Sequence, residues 1–102
     1  MIVYNVTIAV EPSIEEQFIL WLKETHLPEV METRCFISHE IFKVFDSPNS
    51  ETHSSYAVQY RLKGWEDFEA YQNNFAQELQ QKTIDLFGEN VLAFRTFLEK
   101  QE

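Results

Sequence analysis

The order of strand-like and helix-like segments predicts an α+β protein of the ferredoxin-like kind. Four segments alternate as β-strands do, two longer ones carry the apolar stripe of amphipathic helices, and they follow the order β-α-β-β-α-β. Right-handed connections place both helices on one face of a four-stranded antiparallel sheet. Because large apolar side chains occupy both faces of the strands, the open face needs a cover of its own. We therefore expect a homodimer that pairs through this open sheet face, a dimeric α+β barrel.

Length and composition indicate one folded domain over residues 1–102. Residues are 44% apolar and 15% aromatic, which is ample for a hydrophobic core. The longest uncharged apolar stretch falls short of the ~20 residues that a membrane span needs, and the N-terminal segment lacks the features of a signal peptide. The single cysteine, Cys35, excludes an internal disulfide and fits a reducing compartment. We therefore expect a cytoplasmic protein.

The charge balance argues against two classes of partner. Seventeen acidic residues against eight basic ones give a net charge of -9, and no cluster of Lys and Arg offsets it. Such a surface repels phosphate backbones and anionic lipid. We therefore expect binding neither to nucleic acid nor to membranes.

The first strand and the first helix are clear in the sequence. Ile2 to Val10 alternates and is rich in β-branched residues, which predicts a strand. Ser13 to Glu16 has the pattern of a capping box, so the helix is expected to begin there. Its buried stripe comprises Ile14, Phe18, Trp21, Leu22 and His26. Pro28 is expected to end or kink this helix, with room for one further turn over Glu29 to Glu32.

The middle of the chain is less regular. Arg34 to Phe45 is typical of a long second strand, but both of its faces are mixed, so its register stays open and a bulge is compatible with an edge strand. Asp46 to His53 is polar and rich in turn-forming residues. Ser55 to Leu62 alternates again, which predicts the third strand.

The second helix and the last strand complete the sequence. Gly64 precedes the helix, and Gly88 suits a left-handed cap at its end. The apolar stripe of this helix comprises Trp65, Phe68, Tyr71, Phe75, Leu79 and Leu86. Val91 to Glu99 is the expected fourth strand. The residues proposed as core from both helices and this strand are Phe18, Leu22, Phe68, Phe75 and Phe94.

Alternation assigns each strand residue to one face of the sheet. The helix side is expected to take Tyr4, Val6, Ile8, Tyr56, Val58, Tyr60, Leu92, Phe94 and Leu98. The open face then carries Val3, Ala9, Ala57, Val91 and Phe97, together with a polar set of Asn5, Thr7, Gln59, Arg61 and Arg95. This polar set would form a hydrogen-bond and ion-pair network inside the dimer barrel, with Glu40 or Glu99 as counter-ion, or would bind an anionic group there.

Four segments carry a resemblance to a known family. They are Met1 to Thr7, Trp21 to Met31, Tyr56 to Tyr60 and Ala93 to Thr96, of which Trp21 to Met31 is the most specific. They resemble a small bacterial family known only as a domain of unknown function, DUF4286, over nearly the whole chain. The resemblance implies the dimeric α+β barrel superfamily, whose members include cofactor-free monooxygenases, lactone isomerases, dyp-type and haem-degrading proteins, and proteins without known activity. It implies a fold and a dimer, but no reaction and no catalytic residue.

His26 is the strongest candidate for a catalytic side chain. It could act as a general base at the mouth of the cleft between helices and sheet, since imidazole titrates near neutral pH. The alternative, which the sequence favours, is a histidine in the last helical turn that interacts with the dipole and the free carbonyls. His39 and His53 are expected on a surface strand and in a loop. The three histidines and Cys35 lack metal-ligand spacing, so neither a metal site nor a cofactor is expected.

Aromatic side chains on the inner faces could bind a flat ligand. Trp21 and Trp65 lie on helix faces that point at the sheet, where most such residues are simply core. Tyrosine hydroxyls that are buried need hydrogen-bond partners, which favours a ligand site somewhat. The candidate ligand-binding residues are Tyr4, Trp21, His26, Tyr56 and Tyr60.

Two hypotheses of function follow. The first is a non-enzymatic homodimer that binds a small, partly apolar molecule or a protein partner. The second is a cofactor-independent monooxygenase or isomerase for an aromatic or quinone-like substrate, with His26 as the proton-transfer group. The sequence leans towards the first, because no second acid–base group is evident near His26.

Overall fold

The sheet consists of four antiparallel strands, β1 (Ile2–Val10), β2 (Ser38–Val44), β3 (Ser54–Leu62) and β4 (Val91–Glu99). In the computed structural model, which describes residues 1–45 and 53–102, they lie in the spatial order β2-β3-β1-β4. The helical segments are α1 (Glu15–Trp21), a π turn (Leu22–His26) and α2 (Leu27–Glu32) after β1, then α3 (Trp65–Asn74) and α4 (Ala76–Phe87) after β3. The predicted α+β class, element order and antiparallel sheet are therefore confirmed.

The core lies between the helical layer and one face of the sheet. Its strand residues alternate along β1 and β3 and face one another in register, as in the pairs Tyr4–Tyr60 and Val6–Val58. Its helix residues include Phe18, Leu22, Leu27, Val30, Tyr71, Leu79 and Phe87. The predicted core positions Phe18 and Leu22 are each only 1% exposed, and Phe68 packs against the core from its edge.

The first helix begins differently from the prediction. Pro12–Ile14 forms a short 3₁₀ turn, in which the Ile14 amide donates to the Glu11 carbonyl at 3.1 Å, and α1 starts only at Glu15. No side-chain hydrogen bond caps either start, so the predicted capping box at Ser13 is wrong. The physical reason is that Pro12 fixes the backbone angle φ of the first turn, and this favours a tight turn directly before the α-helix.

Pro28 does not end the helical segment, which continues to Glu32. In a regular α-helix the proline ring would clash with the carbonyl of Glu24, four residues earlier, and the missing amide would leave that carbonyl without a donor. Instead the Leu27 amide donates to the Leu22 carbonyl five residues earlier, which is a π turn. The wider turn accommodates the proline, and the further turn predicted over Glu29 to Glu32 is present.

The second helix is divided at Phe75, whose backbone angles (φ -131°, ψ -33°) leave the helical region. The break changes the rotation of the following residues, so that Ala76, Leu79 and Phe87 face the core. Phe75 and Leu86, which were predicted on the buried stripe, are instead 38% and 60% exposed. Gly88 has a positive φ of 55°, but its ψ of -131° lies outside the left-handed helical region, so the predicted left-handed cap is wrong in its backbone conformation.

The register of β4 corrects the predicted faces of that strand. Tyr4 lies opposite Phe97, Val6 opposite Arg95 and Ile8 opposite Ala93, and paired residues of neighbouring strands point to the same face. Val91, Ala93, Arg95 and Phe97 therefore lie on the helix side, whereas Leu92, Phe94 and Leu98 lie on the open face, the reverse of the prediction. Phe94 is accordingly 64% exposed and is not a core residue. Both faces of β4 carry large apolar residues, so alternation alone cannot fix its orientation.

The second strand is shorter than predicted. It covers Ser38–Val44 rather than Arg34 to Phe45, and its register is set by pairing of Ile41 with Val58. Arg34 instead follows the end of α2 with a positive φ of 62°. The predicted turn at Asp46 to His53 lies outside the described residues, apart from His53. No helix among the described residues is long and apolar enough to cross a membrane.

Candidate functional site

A cavity of about 240 Å³ lies between the helical layer and the β1–β4 side of the sheet. The strands contribute Tyr4, Val6, Ile8, Val58, Tyr60 and Arg95, and the helical segments contribute Phe18, Trp21, Leu22, His26, Tyr71, Gln80, Thr83 and Ile84. Most of this surface is apolar, and a few polar groups converge on it. Ligand sites in proteins commonly have this composition.

Four of the five predicted ligand-binding residues, Tyr4, Trp21, His26 and Tyr60, line this cavity. Tyr56 does not. Arg95 and Tyr71, by contrast, also line the cavity and were not predicted there. Arg95 was missed because β4 was assigned to the wrong face, and Tyr71 because a residue on the buried stripe of a helix was interpreted as core alone.

His26 stacks on Trp21, with ring centroids 5.0 Å apart and planes inclined by 26°. The π turn makes this contact possible. Residues five positions apart lie roughly 140° apart around an α-helix, but they face the same way where the hydrogen bonds run five residues back. His26 is therefore not a cap at a helix end, as the sequence favoured, because helical structure continues beyond it to Glu32.

The imidazole of His26 is neutral at physiological pH. Its pKa is lowered to about 4, chiefly by burial; the charge of Glu29 opposes this shift, and the charges of Lys82 and Arg95 add to it. Its Nδ1 atom is buried and has no hydrogen-bond partner within residues 1–45 and 53–102. A buried polar atom of this kind is uncommon in folded proteins, and a hydrogen bond from a ligand would remove the cost of leaving it unpaired.

Three tyrosines form the polar end of the cavity. The ring of Tyr4 lies 5.9 Å from that of Tyr60 and 6.3 Å from that of Tyr71. Burial raises the pKa of all three hydroxyls, and the Arg95 guanidinium opposes part of each rise. All three therefore remain protonated near neutral pH and are available as hydrogen-bond donors.

Arg95 brings a permanent charge to this group. It is exposed on the edge strand β4, whereas Tyr4, Tyr60 and Tyr71 are buried. Its charge therefore lies at the open side of the cavity. The ion pairs of the described part of the chain join Lys43 to Glu15, Arg61 to Glu40 and Lys82 to Glu29, and none of them includes Arg95.

Tyr56 belongs to a separate cluster that joins α1 to β3. Its hydroxyl donates to Glu15 Oε2, and the Ser54 hydroxyl donates to Glu15 Oε1 at 2.6 Å. Lys43 lies 3.6 Å from the same carboxylate. Burial and then the Glu15 contact raise the pKa of Tyr56 to about 12. These contacts satisfy the hydroxyl of Tyr56 without a ligand, and they connect the start of α1 to the sheet.

Four of the five residues predicted as the polar set lie on the open face. Asn5 Nδ2 donates to Thr7 Oγ1 at 3.0 Å and to Thr96 Oγ1 at 3.2 Å. Arg61 pairs with Glu40 at 2.6 Å. Gln59 on β3 lies opposite Asn5 of β1 on one side and opposite Glu40 of β2 on the other. Arg95 is not part of this set, because the register of β4 places it on the other face. No group of His, Cys, Asp or Glu among the described residues is arranged to hold a metal ion.

Several solved structures share this fold. An ethyl tert-butyl ether d (EthD) family protein from Bacillus halodurans C-125 superposes with a TM-score of 0.70 at 15% identity, over 99% of this chain and 100% of that chain. A dimeric ferredoxin-like protein from an uncultured marine organism gives 0.68 at 15% identity, over 100% and 98%. A candidate antibiotic biosynthesis monooxygenase from Deinococcus radiodurans gives 0.61 at 12% identity, over 100% and 94%. At these identities the likeness establishes the fold alone.

No curated protein matches the sequence. The family described as Domain of unknown function (DUF4286) matches residues 1–101, which is nearly the whole chain. The ferredoxin-like α+β fold of the structural neighbours agrees with this match. The chain therefore belongs to the DUF4286 family.

Proposed function

We propose that this protein binds one small, largely apolar molecule in the cavity between helices and sheet. The observation that carries this proposal is the cavity itself, about 240 Å³ in volume, with aromatic walls and an unpaired imidazole nitrogen. A dry cavity of about 150 Å³ is enough to hold benzene. The volume here is sufficient for one ring with substituents.

The binding protein is proposed to be a homodimer. Large apolar side chains on the open face are exposed in the single chain, notably Phe42 at 45%, Phe94 at 64% and Leu98 at 44%. Soluble monomers rarely expose a contiguous patch of this kind. A second copy, packed sheet to sheet, would cover it, in keeping with the structural neighbours described as dimeric.

Tryptophan fluorescence tests the binding proposal. Trp21 lines the cavity, whereas Trp65 packs on Phe97 elsewhere on the helix side. In a Trp65→Phe variant, Trp21 is the sole tryptophan, and titration with flat phenolic and quinone-like compounds should give a saturable change. The matched Trp21→Phe variant should give none. A panel that changes neither signal, or both equally, contradicts the proposal.

A second candidate function is a cofactor-independent monooxygenase or isomerase. The observation in its favour is that the neutral His26 and the charged Arg95 line the same cavity. The imidazole could accept a proton from an acidic substrate, while the O–H or C–H electron pair stays on the substrate and Arg95 stabilises the anion. In an oxygenation, dioxygen would then accept four electrons from the substrate as a ring CH2 group becomes C=O: one oxygen atom enters the product, and the other leaves as water with the two hydrogens of that CH2 group.

Oxygen uptake and substrate isomerisation distinguish the two functions. With ligands that bind, the enzyme hypothesis expects turnover that is lost in His26→Phe, a variant that keeps an aromatic ring against Trp21 but lacks the nitrogen. The same loss is expected in His26→Ala. Saturable binding without turnover by the unmodified protein excludes the enzyme hypothesis for those compounds and leaves the binding function in place.

A further inference from the structure

The charge on the cavity wall is opposite to that of the protein as a whole. The chain has 17 acidic and 8 basic residues, yet no Asp or Glu is found in the cavity lining that residues 1–45 and 53–102 provide. Arg95 is the permanently charged residue of this described lining. No carboxylate within the described ranges lies at ion-pair distance from it.

The groups around Arg95 cannot neutralise its charge. Tyr4, Tyr60 and Tyr71 stay protonated, and His26 is uncharged. Arg95 lines the same cavity as these four side chains, and its pairing with Val6 places it on the helix side of the sheet. Each tyrosine hydroxyl can donate a further hydrogen bond. The site therefore combines a cation with several donors around an apolar recess.

We propose that the ligand is a single-ring aromatic acid whose carboxylate is bound by Arg95. This deepens the binding function proposed above and rests on it. A guanidinium presents parallel N–H donors that match both oxygens of a carboxylate. The walls formed by Phe18, Trp21, Val58 and Ile84 would enclose the ring, and the tyrosine hydroxyls would complete the hydrogen bonds of the anion.

The test compares a charged ligand with its neutral isostere in the Trp65→Phe background. Benzoate and benzamide have nearly the same shape, so the difference in their affinities reports the charge. We expect benzoate to bind about tenfold more tightly than benzamide, the ratio that one charge-assisted contact provides. Arg95→Gln should weaken benzoate binding much more than benzamide binding and so remove this preference, and Arg95→Lys should restore part of it.

Two controls separate the outcomes. Lys63→Gln removes the same charge from an exposed position outside the cavity, and it should preserve the preference for benzoate. Phenol, which is neutral at pH 7, tests whether an oxygen on the ring is sufficient without charge. If phenol or benzamide binds as tightly as benzoate, or if Arg95→Gln weakens all three equally, the assignment of Arg95 is wrong although the cavity binds ligands. If no aromatic compound binds, the proposed function itself fails.

Discussion

His26 shows at the scale of one residue how burial determines protonation. Its ring is held against Trp21 with Nδ1 shielded from water, so the charged form is disfavoured and the pKa falls from 6.5 to about 4. In the unfolded chain the same imidazole binds a proton near its ordinary pKa. The folded protein therefore binds fewer protons than the unfolded chain between these two values.

This difference predicts a pH-dependent loss of stability. As the pH falls from 6.5 to about 4, protonation of the unfolded chain lowers the free energy of unfolding, by up to about 2 kcal/mol at pH 5. Urea titrations at pH 7.5 and pH 5 should show this loss in the unmodified protein and a smaller one in His26→Phe. Carboxylates titrate in the same range, so the difference between the two proteins is the relevant quantity. An exposed-site control, His39→Gln, should behave like the unmodified protein; equal losses in all three would contradict the burial of His26.

At the scale of elements, the break at Phe75 determines which helix residues support the core. The first helical segment contributes Phe18, which is 1% exposed and contacts Phe87 of α4 with ring centroids 5.1 Å apart. Within α4, Leu79 is buried whereas Leu86, seven residues later on the same face, is 60% exposed, so the core covers the start of this face but not its last turn. The two aromatic residues, rather than the uninterrupted stripe predicted from the sequence, hold α1 and α4 together.

Alanine substitutions should separate these two kinds of position. Phe18→Ala removes a fully buried ring and should lower the free energy of unfolding by about 3–5 kcal/mol. Leu86→Ala changes a side chain that is 60% exposed, and it should cost less than about 1 kcal/mol. Chemical denaturation with a common slope measures both. Similar losses at the two sites would mean that α4 has a different rotation about its axis.

At the scale of the whole molecule, the sheet has two unlike faces. One is covered by helices and contains the cavity. The other combines exposed apolar residues with the Asn5–Thr96 hydrogen bond and the Arg61–Glu40 ion pair. Apolar area would drive association of two such faces, and the polar groups would fix their relative orientation. Phe97, on the helix side, does not belong to this surface.

Light scattering at micromolar concentration should give twice the chain mass of 12.2 kDa. Phe94→Asp should give monomers or aggregates, because in the proposed dimer it would place an unpaired charge in a buried apolar contact. Leu86→Asp is the matched control, since Leu86 is similarly exposed but lies on α4, and it should leave the dimer intact. A stable monomer of the unmodified protein, or equal effects of the two substitutions, would rule out the sheet-to-sheet dimer.

Much of the fold could be predicted because β1 and β3 carry their bulkiest residues on one side. For β4 this signal is absent, since it carries a phenylalanine on each face, Phe94 on one and Phe97 on the other. The alternating pattern of β4 therefore could not predict on which face Arg95 lies, nor that the cavity carries its charge. The face depends on the register, which only the pairing of β4 with β1 determines. The break at Phe75 has no proline or glycine to announce it. The contact between Trp21 and His26 was hidden because a period of 3.6 residues was assumed throughout.

The π turn also affects how sequence length can vary in this region. It contains one residue more than an α-helical turn needs, and Leu22 and Leu27 on either side of it are both buried. A chain with one residue fewer at exposed Lys23, Glu24 or Thr25 would bring the same two leucines, and the same Trp–His pair, four residues apart on one face of an ordinary α-helix. In such a chain a proline at the position of Pro28 would kink the helix or cost about 3 kcal/mol, because the clash with the preceding turn would return. The extra residue of the π turn and the proline after it are therefore linked, so that a homologous sequence with one of them is expected to have the other.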